Sequence, residues 1–242
     1  MVRRTLALEQ EVRANHIRPA TDLAERVLLP GDPGQALAVA QALLESPPKM
    51  FNHARGLWGY TGIASDGEPL TVQATGMGGP SAAIVCEELI ALGATRLVRI
   101  GTCAALDPDI ELGTLLAAES VLPGDGTSSA LGAAAPLAPD ADLLARLVAA
   151  GARPATVASI DLFYDPREGA ANEWAERGAL AVDMEAATIL QVAAHRGVAA
   201  ACVLAVVARD SASNGEREMD ADELAELGVR VGEAGYAAVR NP

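Results

Sequence analysis

Aromatic side chains are scarce in this chain: two Trp, three Tyr and two Phe make up 3% of its 242 residues. An interior built without them has to be filled by Ala, Val and Leu. That is feasible, because half of the residues are hydrophobic and a chain of this length can bury a sizeable core. Positive charge is the second shortage. Eighteen Lys and Arg face 32 Asp and Glu, a formal net charge of −14. This excludes a nucleic-acid binder, since a phosphate backbone needs a basic footprint, and a small anionic substrate would need a local basic pocket. Cysteine is limited to Cys86, Cys103 and Cys202, an odd number in apolar surroundings. They read as reduced core thiols, which rules out a disulfide framework and points to the cytosol. No spacing suggests a metal site. No apolar run reaches the ~18 residues of a membrane helix. The N-terminal MVRRTLALEQEV turns acidic too soon to be a signal peptide.

What is present is organised around Thr71 to Leu106, TVQATGMGGPSAAIVCEELIALGATRLVRIGTCAAL. The apolar run Leu70 to Ala74 meets a glycine turn, Gly76-Met77-Gly78-Gly79-Pro80-Ser81. An apolar-periodic helix from Ala82 to Leu92 follows, and then a strand, Arg96 to Ile100, that ends in Gly101-Thr102. This is the βαβ unit of a parallel sheet. Pro80 suits the first helical turn, and Ser81 can cap or follow it. Arg99 stands in an otherwise apolar strand, between Val98 and Ile100. A cation there is costly unless it meets an anion. A planar guanidinium beside a hydroxyl and glycine amides suits a phosphate at the carboxyl edge of the sheet. The plainer alternative is a structural Arg–carboxylate pair.

Along the rest of the chain, residues 1–15 form a lead-in and residues 16–242 one doubly wound α/β domain with neither repeat nor linker. Val27-Leu28-Leu29 is a short strand that ends in Pro30-Gly31-Asp32-Pro33, and Pro33 opens a helix to about Leu44. Such a turn can offer backbone N–H groups to an anion. Phe51 to Gly62 is an aromatic connector carrying Arg55. The runs Trp58–Ile63 and Leu70–Ala74, joined through Asp66-Gly67, read as a hairpin. Gly113 to Val121 is a further strand. Residues 122–138, poor in all but Gly, Ala, Ser and Pro, read as a flexible surface segment, either a lid or an inert loop. A helix over Pro139–Ala150 precedes a strand at Pro154–Ser159 and the turn Asp161-Leu162-Phe163-Tyr164. Residues 168–178 read as a helix and Ala179–Val182 as a strand. Asp183-Met184-Glu185 then opens an apolar helix with acid in its first turn. A buried strand, Ala199 to Ala208, runs into Arg209-Asp210-Ser211, and Asp220 to Val239 is helical. Gly31, Arg99 with Thr102, Met184-Glu185 and Arg209-Asp210 all fall at carboxyl ends of strands, which suggests one pocket.

Pro30-Gly31-Asp32-Pro33, Thr75 to Ser81 with Ile84 and Glu88-Leu89, Arg99-Ile100-Gly101-Thr102, and Val182 to Ala187 together closely resemble the nucleoside phosphorylase-I family. This family comprises bacterial hexameric purine nucleoside phosphorylases and uridine phosphorylases. The likeness runs in order from about His16 to Asp210. It implies a three-layer α/β/α domain around a central twisted mixed sheet, and cleavage of a nucleoside by phosphate to free base and ribose 1-phosphate. No cofactor is expected, with phosphate as co-substrate, and neither nucleic acid nor membrane as partner. The resemblance further implies a cytoplasmic hexamer, a trimer of dimers with shared sites. Gly31, Arg99 and Thr102 would bind phosphate, and Arg55 would reach the neighbouring subunit's phosphate site. His16 would cross to the neighbour's ribose 5′-hydroxyl, while Met77, Met184 and Glu185 hold the ribose. Phe163 would stack on the base, with Cys103, Arg167 and Asp183 as further base contacts.

Two positions depart from the family pattern. Gln35 stands four residues after Gly31, where the family usually has a second phosphate-binding arginine. A hydrolytic nucleosidase, or a non-catalytic nucleoside-binding relative, therefore stays beside the phosphorylase reading. The last core strand continues to Ala208-Arg209-Asp210, as in the uridine enzymes, yet Asp161-Leu162-Phe163-Tyr164 looks like the purine enzymes and no Gln follows it. The base leans to purine, with Asp210 as candidate acid for the leaving base, and uridine is the alternative.

Overall fold

The computed structural model describes residues 14–209 and 219–241. The first unit is β1 (Arg26–Leu29), α1 (Pro33–Leu43), β2 (Lys49–Asn52), β3 (Gly59–Ile63) and β4 (Pro69–Gln73). Then come α2 (Gly79–Ala91), β5 (Arg96–Ala105), β6 (Leu115–Pro123), α3 (Gly126–Ala130), α4 (Ala141–Ala149) and β7 (Arg153–Ser159). The chain continues through α5 (Ala170–Glu176), β8 (Ala181–Asp183), α6 (Ala186–Arg196), β9 (Ala199–Arg209) and α7 (Ala221–Val239). Aspartate side chains cap α1, α3, α4 and α7. Asp32 caps α1 by accepting from the Gln35 amide, with Pro33 leading the helix, and Asp220 with Glu223 forms a capping box on α7.

Both faces of the sheet are covered, so its strands are buried on both sides. Alternate residues feed two cores: Val27 and Leu29 pack with α2 and α6, and Leu28 with Val98 and Ile100 packs under α1, α4 and α7. Glycine lets α7 come close. A Cβ at Gly235 would stand 2.4 Å from the Ile100 side chain, and one at Gly232 would stand 2.7 Å from Val39. The architecture is thus α/β in three layers, as expected. Among the described residues, no helix is long and apolar enough to cross a membrane.

The nine strands among the described residues do not form an open doubly wound sheet. One wing runs β2-β3-β4-β1-β5, with β1 parallel to β4 and β5 and the β2-β3-β4 pairs antiparallel. The remaining strands close on β5. Strand β9 lies along one edge of β5 from Arg96 to Ala105 and carries β6, which carries β7 and then β8. Strand β8 returns antiparallel to the other edge of β5 at Ala104 and Ala105. That other edge is held by β1 only as far as Arg99. Between Arg99 and Ala104, therefore, β5 has among the described residues a strand on one side only. The β5–β9 register shifts between Cys103 and Ala104, with Val207 of β9 as the extra residue, at the place where β5 changes its other partner.

Several local expectations need correction. Strand β5 does not stop at Ile100 but runs on to Ala105, because its long partner β9 continues beside it. Strand β2 runs into the start of the aromatic connector, where Phe51 and Asn52 are buried. Residues 122–138 are not simply a flexible segment. They contain α3, the bridge of Leu137 to Val121, and the fully buried Asp125 and Ser128. Ser81 does not cap α2; its hydroxyl donates to the Thr75 carbonyl at 2.5 Å.

Candidate active site

Arg99 emerges from β5 where β1 gives way to β8, and it is 3% exposed. Its guanidinium lies back along the strand over Gly101. A Cβ on that glycine would sit 2.7 Å from Arg99 Cζ and Nη2, so only glycine leaves the room. Arg99 Nε donates to Asp183 Oδ2 at 2.9 Å, and Nη2 pairs with Glu185. Nη1 is buried and, among the described residues, has no partner. Burial works against the charge on Arg99, but Glu185 and Asp183 outweigh it and hold the group above its usual pKa.

The two carboxylates are placed by the passage from β8 into α6. Asp183 ends β8 and accepts from the Ser159 hydroxyl at 2.6 Å, from the Ala186 amide at 2.9 Å and from the Glu185 amide at 3.2 Å. It serves the first turn of α6 and Arg99 together. Glu185 accepts from the Gly78 amide at 2.5 Å. Burial pushes the Glu185 carboxyl up, Arg99 pulls it back, and the neighbouring Asp183 adds to the rise.

The glycine turn that supplies Gly78 is fixed on three sides. Gly76 and Gly78 have φ of 75° and 86°, values that suit glycine. The Thr75 amide donates to the Pro30 carbonyl at 2.8 Å and the Gly76 amide to the Gly31 carbonyl at 3.0 Å, joining the ends of β1 and β4. Gly79 starts α2 against α3 and α6: a Cβ there would meet Thr127, Thr188 and Asp125 within 2.9 Å. Asp125 in turn accepts from the Ser128 amide, the Ser128 hydroxyl and the Thr188 hydroxyl. Three helix starts thus meet around one buried carboxylate and hold the donor to Glu185. Sequence reasoning missed Asp125. The readable signal was an Asp three residues before Ser128, a capping pattern inside a Gly/Ala-rich run.

Gly31, Gly78, Arg99, Asp183 and Glu185 are therefore brought together. Thr102 is exposed on the bare stretch of β5, Met184 is half-buried beside Glu185, and Met77 is 87% exposed on the glycine turn. Phe163 is exposed and packs edge-on to Tyr164, with ring centroids 4.9 Å apart. Two expected base contacts are engaged elsewhere. Cys103 is in the core with its thiol 3.7 Å from the Ala205 carbonyl, and Arg167 is held on the surface by Asp165 at 2.6 Å. None of the three thiols is a ready nucleophile: burial pushes Cys86 up to about 12 and raises Cys103 and Cys202 as well. Gln35 turns toward α7, its amide 3.4 Å from the Gly228 carbonyl. Asp210 lies outside the described residues, as does most of the lead-in.

Two expected residues stand apart from this cluster. Arg55 is exposed in a short turn with φ of 59°, a left-handed conformation that costs a side-chain-bearing residue about 1 kcal/mol or more. His16 is half-buried, its Nδ1 2.6 Å from Glu88 of α2.

A family model described as the phosphorylase superfamily matches residues 25–240. A purine nucleoside phosphorylase of DeoD type from Geobacillus kaustophilus is 35% identical over 240 residues, covering 93% of this chain and 98% of the relative. One of the same description from Caldanaerobacter subterraneus is 38% identical, covering 81% of this chain and 86% of its own. A guanosine phosphorylase from Halorubrum lacusprofundi is 32% identical over 85% of this chain and 87% of its own.

Proposed function

This chain belongs to the phosphorylase superfamily, and on that footing we propose that it is a purine nucleoside phosphorylase, a pentosyltransferase. Phosphate attacks the anomeric carbon as the glycosidic bond breaks, and free base and (deoxy)ribose 1-phosphate leave. The observation that carries this reading is Arg99, a buried cation with one unengaged nitrogen at the break in the sheet. An arginine held by two carboxylates is pre-organised, and its spare Nη1 is a donor for a phosphate oxygen. Glu185 is placed to accept from ribose hydroxyls and to face the positive charge that develops on the sugar as the bond breaks. The base then needs a proton or a donor, the role assigned to Asp210. The relatives named for purine nucleosides and guanosine support purine over uracil.

Charge counting supports a shared site. Arg99 brings one positive charge and Asp183 with Glu185 two negative ones, so this cluster alone is a poor host for a phosphate anion. Gln35 adds no charge. A second cation from outside restores the balance, and exposed Arg55, held in a strained turn that points it away from its own core, suits a neighbouring subunit's site. His16, Met77 and Phe163 complete the ribose and base contacts in a cytoplasmic hexamer.

The test is base release from inosine, adenosine, guanosine, uridine and thymidine, each with and without phosphate. Phosphate-dependent release from the purine nucleosides is expected. Release without phosphate would make the protein a nucleosidase, and release from uridine alone would overturn the purine assignment. Arg55→Ala should raise the KM for phosphate by about tenfold, the worth of a charged hydrogen bond, without lowering Tm. An unchanged KM would count against the shared site.

A further inference from the structure

Glu88 lies on α2 with only 4% of its surface exposed, and it spends its carboxylate on one short segment. It accepts from the His16 amide at 2.9 Å, from the Ile17 amide at 2.6 Å and from the His16 ring at Nδ1, 2.6 Å away. The backbone bonds have a plain purpose, since Ile17 is buried in the core and needs its chain fixed. The ring bond does not follow from that purpose, because the His16 ring remains 31% exposed. Burial pushes the Glu88 carboxyl up, but the Ile17 amide and the His16 ring outweigh it and hold it below its ordinary value. It is an ionised carboxylate, which can only accept.

Nδ1 must then carry the proton of the contact. In a neutral imidazole the other nitrogen, Nε2, is left as a lone-pair acceptor. We propose that Glu88 is a positioning residue that locks His16 in its Nδ1–H tautomer, so that Nε2 selects a nucleoside whose 5′-hydroxyl can donate. This rests on the phosphorylase reading, in which His16 meets the ribose of a neighbouring subunit's site. It adds a chemical rule to that reading: the 5′-hydroxyl acts as donor, and a 5′-deoxy nucleoside forfeits the contact.

Two measurements test it. The chain has three histidines, His16, His53 and His195, so the ring nitrogens of His16 can be assigned by nitrogen-15 NMR of the intact protein without substrate. The Nδ1–H tautomer should dominate in the native protein and give way to a mixture in Glu88→Gln, whose amide can donate as well as accept. A dominant Nε2–H tautomer in the native protein overturns the proposal whether or not any variant folds. In kinetics, Glu88→Gln should lower kcat/KM for inosine by about tenfold but for 5′-deoxyinosine by less than about twofold. Equal losses on both substrates would mean that Glu88 only anchors the segment. In a His16→Ala background Glu88→Gln should add nothing to the discrimination. If the native protein releases base from no nucleoside, the functional reading fails and takes the hydroxyl rule with it, while the tautomer result is judged on the NMR alone.

Discussion

Among the described residues two arginines are buried, and they teach opposite lessons. Arg26 opens β1 and Arg99 lies in the neighbouring β5, opposite Leu29 at the other end of β1. Three residues along the strand separate the two levels, about 10 Å at a strand's ~3.3 Å rise. Arg26 uses its whole fork. Nε donates to the Pro69 carbonyl at 2.7 Å, Nη2 to Asp66 at 2.6 Å and to the Glu68 carbonyl at 2.8 Å, and Nη1 to Asp66 and the Val239 carbonyl. Its guanidinium also lies over the Tyr236 ring, 5.7 Å from the centroid. It ties the β3–β4 turn to the end of α7 and has nothing left to give. Arg99 meets two carboxylates and still keeps a nitrogen unengaged. Burial of a cation does not mark a site; an unfinished set of donors does.

The comparison can be broken in three ways. The largest effect is expected for Arg26→Met, which leaves Asp66 and three carbonyls without their donor. It should cost about 3–5 kcal/mol of stability, the range for breaking a buried pair, while kcat/KM of the remaining folded protein is unchanged. A loss of activity in folded Arg26→Met, read by calorimetry beside nucleoside kinetics, would erase the distinction. Next is Arg99→Met, expected to lower kcat/KM by about 10²–10³, as removal of a pre-organised donor does. Its Tm should fall as well, since Asp183 and Glu185 lose their counter-charge, but unlike Arg26→Met the folded protein should lose activity. An unchanged kcat/KM in folded Arg99→Met would make Arg99 structural after all.

The smallest effect concerns acid. The Arg26 contact holds the Asp66 carboxyl well below its ordinary value of 3.8. A depressed carboxyl contributes stability above its ordinary pKa and loses it as the pH falls below that value. Asp66→Asn should therefore cost about 1 kcal/mol near neutrality, and the difference from the native protein should shrink as the pH drops below about 3.8. Denaturant titrations at several pH values check this. A difference that grows in acid would contradict the pairing.

The contrast also shows what the sequence could reveal. Arg99 was legible because a charge between Val98 and Ile100 breaks an apolar strand. Arg26 escaped notice because a charge at the first residue of a strand looks like a surface position; its burial depends on α7 and the β3–β4 turn, both remote in sequence. The hairpin, the helix starts at Pro33 and Asp220, and the meeting of Gly31, Arg99 and Glu185 could be read from local pattern and likeness. The closing of the sheet could not. Nothing local to Ala104 or Val182 announces that β5 will exchange one neighbour for another. Burial of Asp125 was hidden for a similar reason, since a run of Gly, Ala and Ser is silent about which surface it meets. Arg167 is a candidate from likeness alone, and its surface pair with Asp165, two residues away, is as local as any pattern could show.

The junction of β5 with β8 has a consequence for folding as well as for shape. Only Ala104 with Val182 and Ala105 with Ala181 join these strands. Two residue pairs recover little of the ordering cost of the loop between them, so this seam is weak beside the ten-pair ladder of β5 with β9. The β1–β4 wing and the long β5–β9 pair can assemble without that junction, but Asp183 and Glu185 reach Arg99 only once β8 has docked. A molecule that has collapsed without closing that seam leaves Arg99 without its two carboxylates, and the candidate site is unformed.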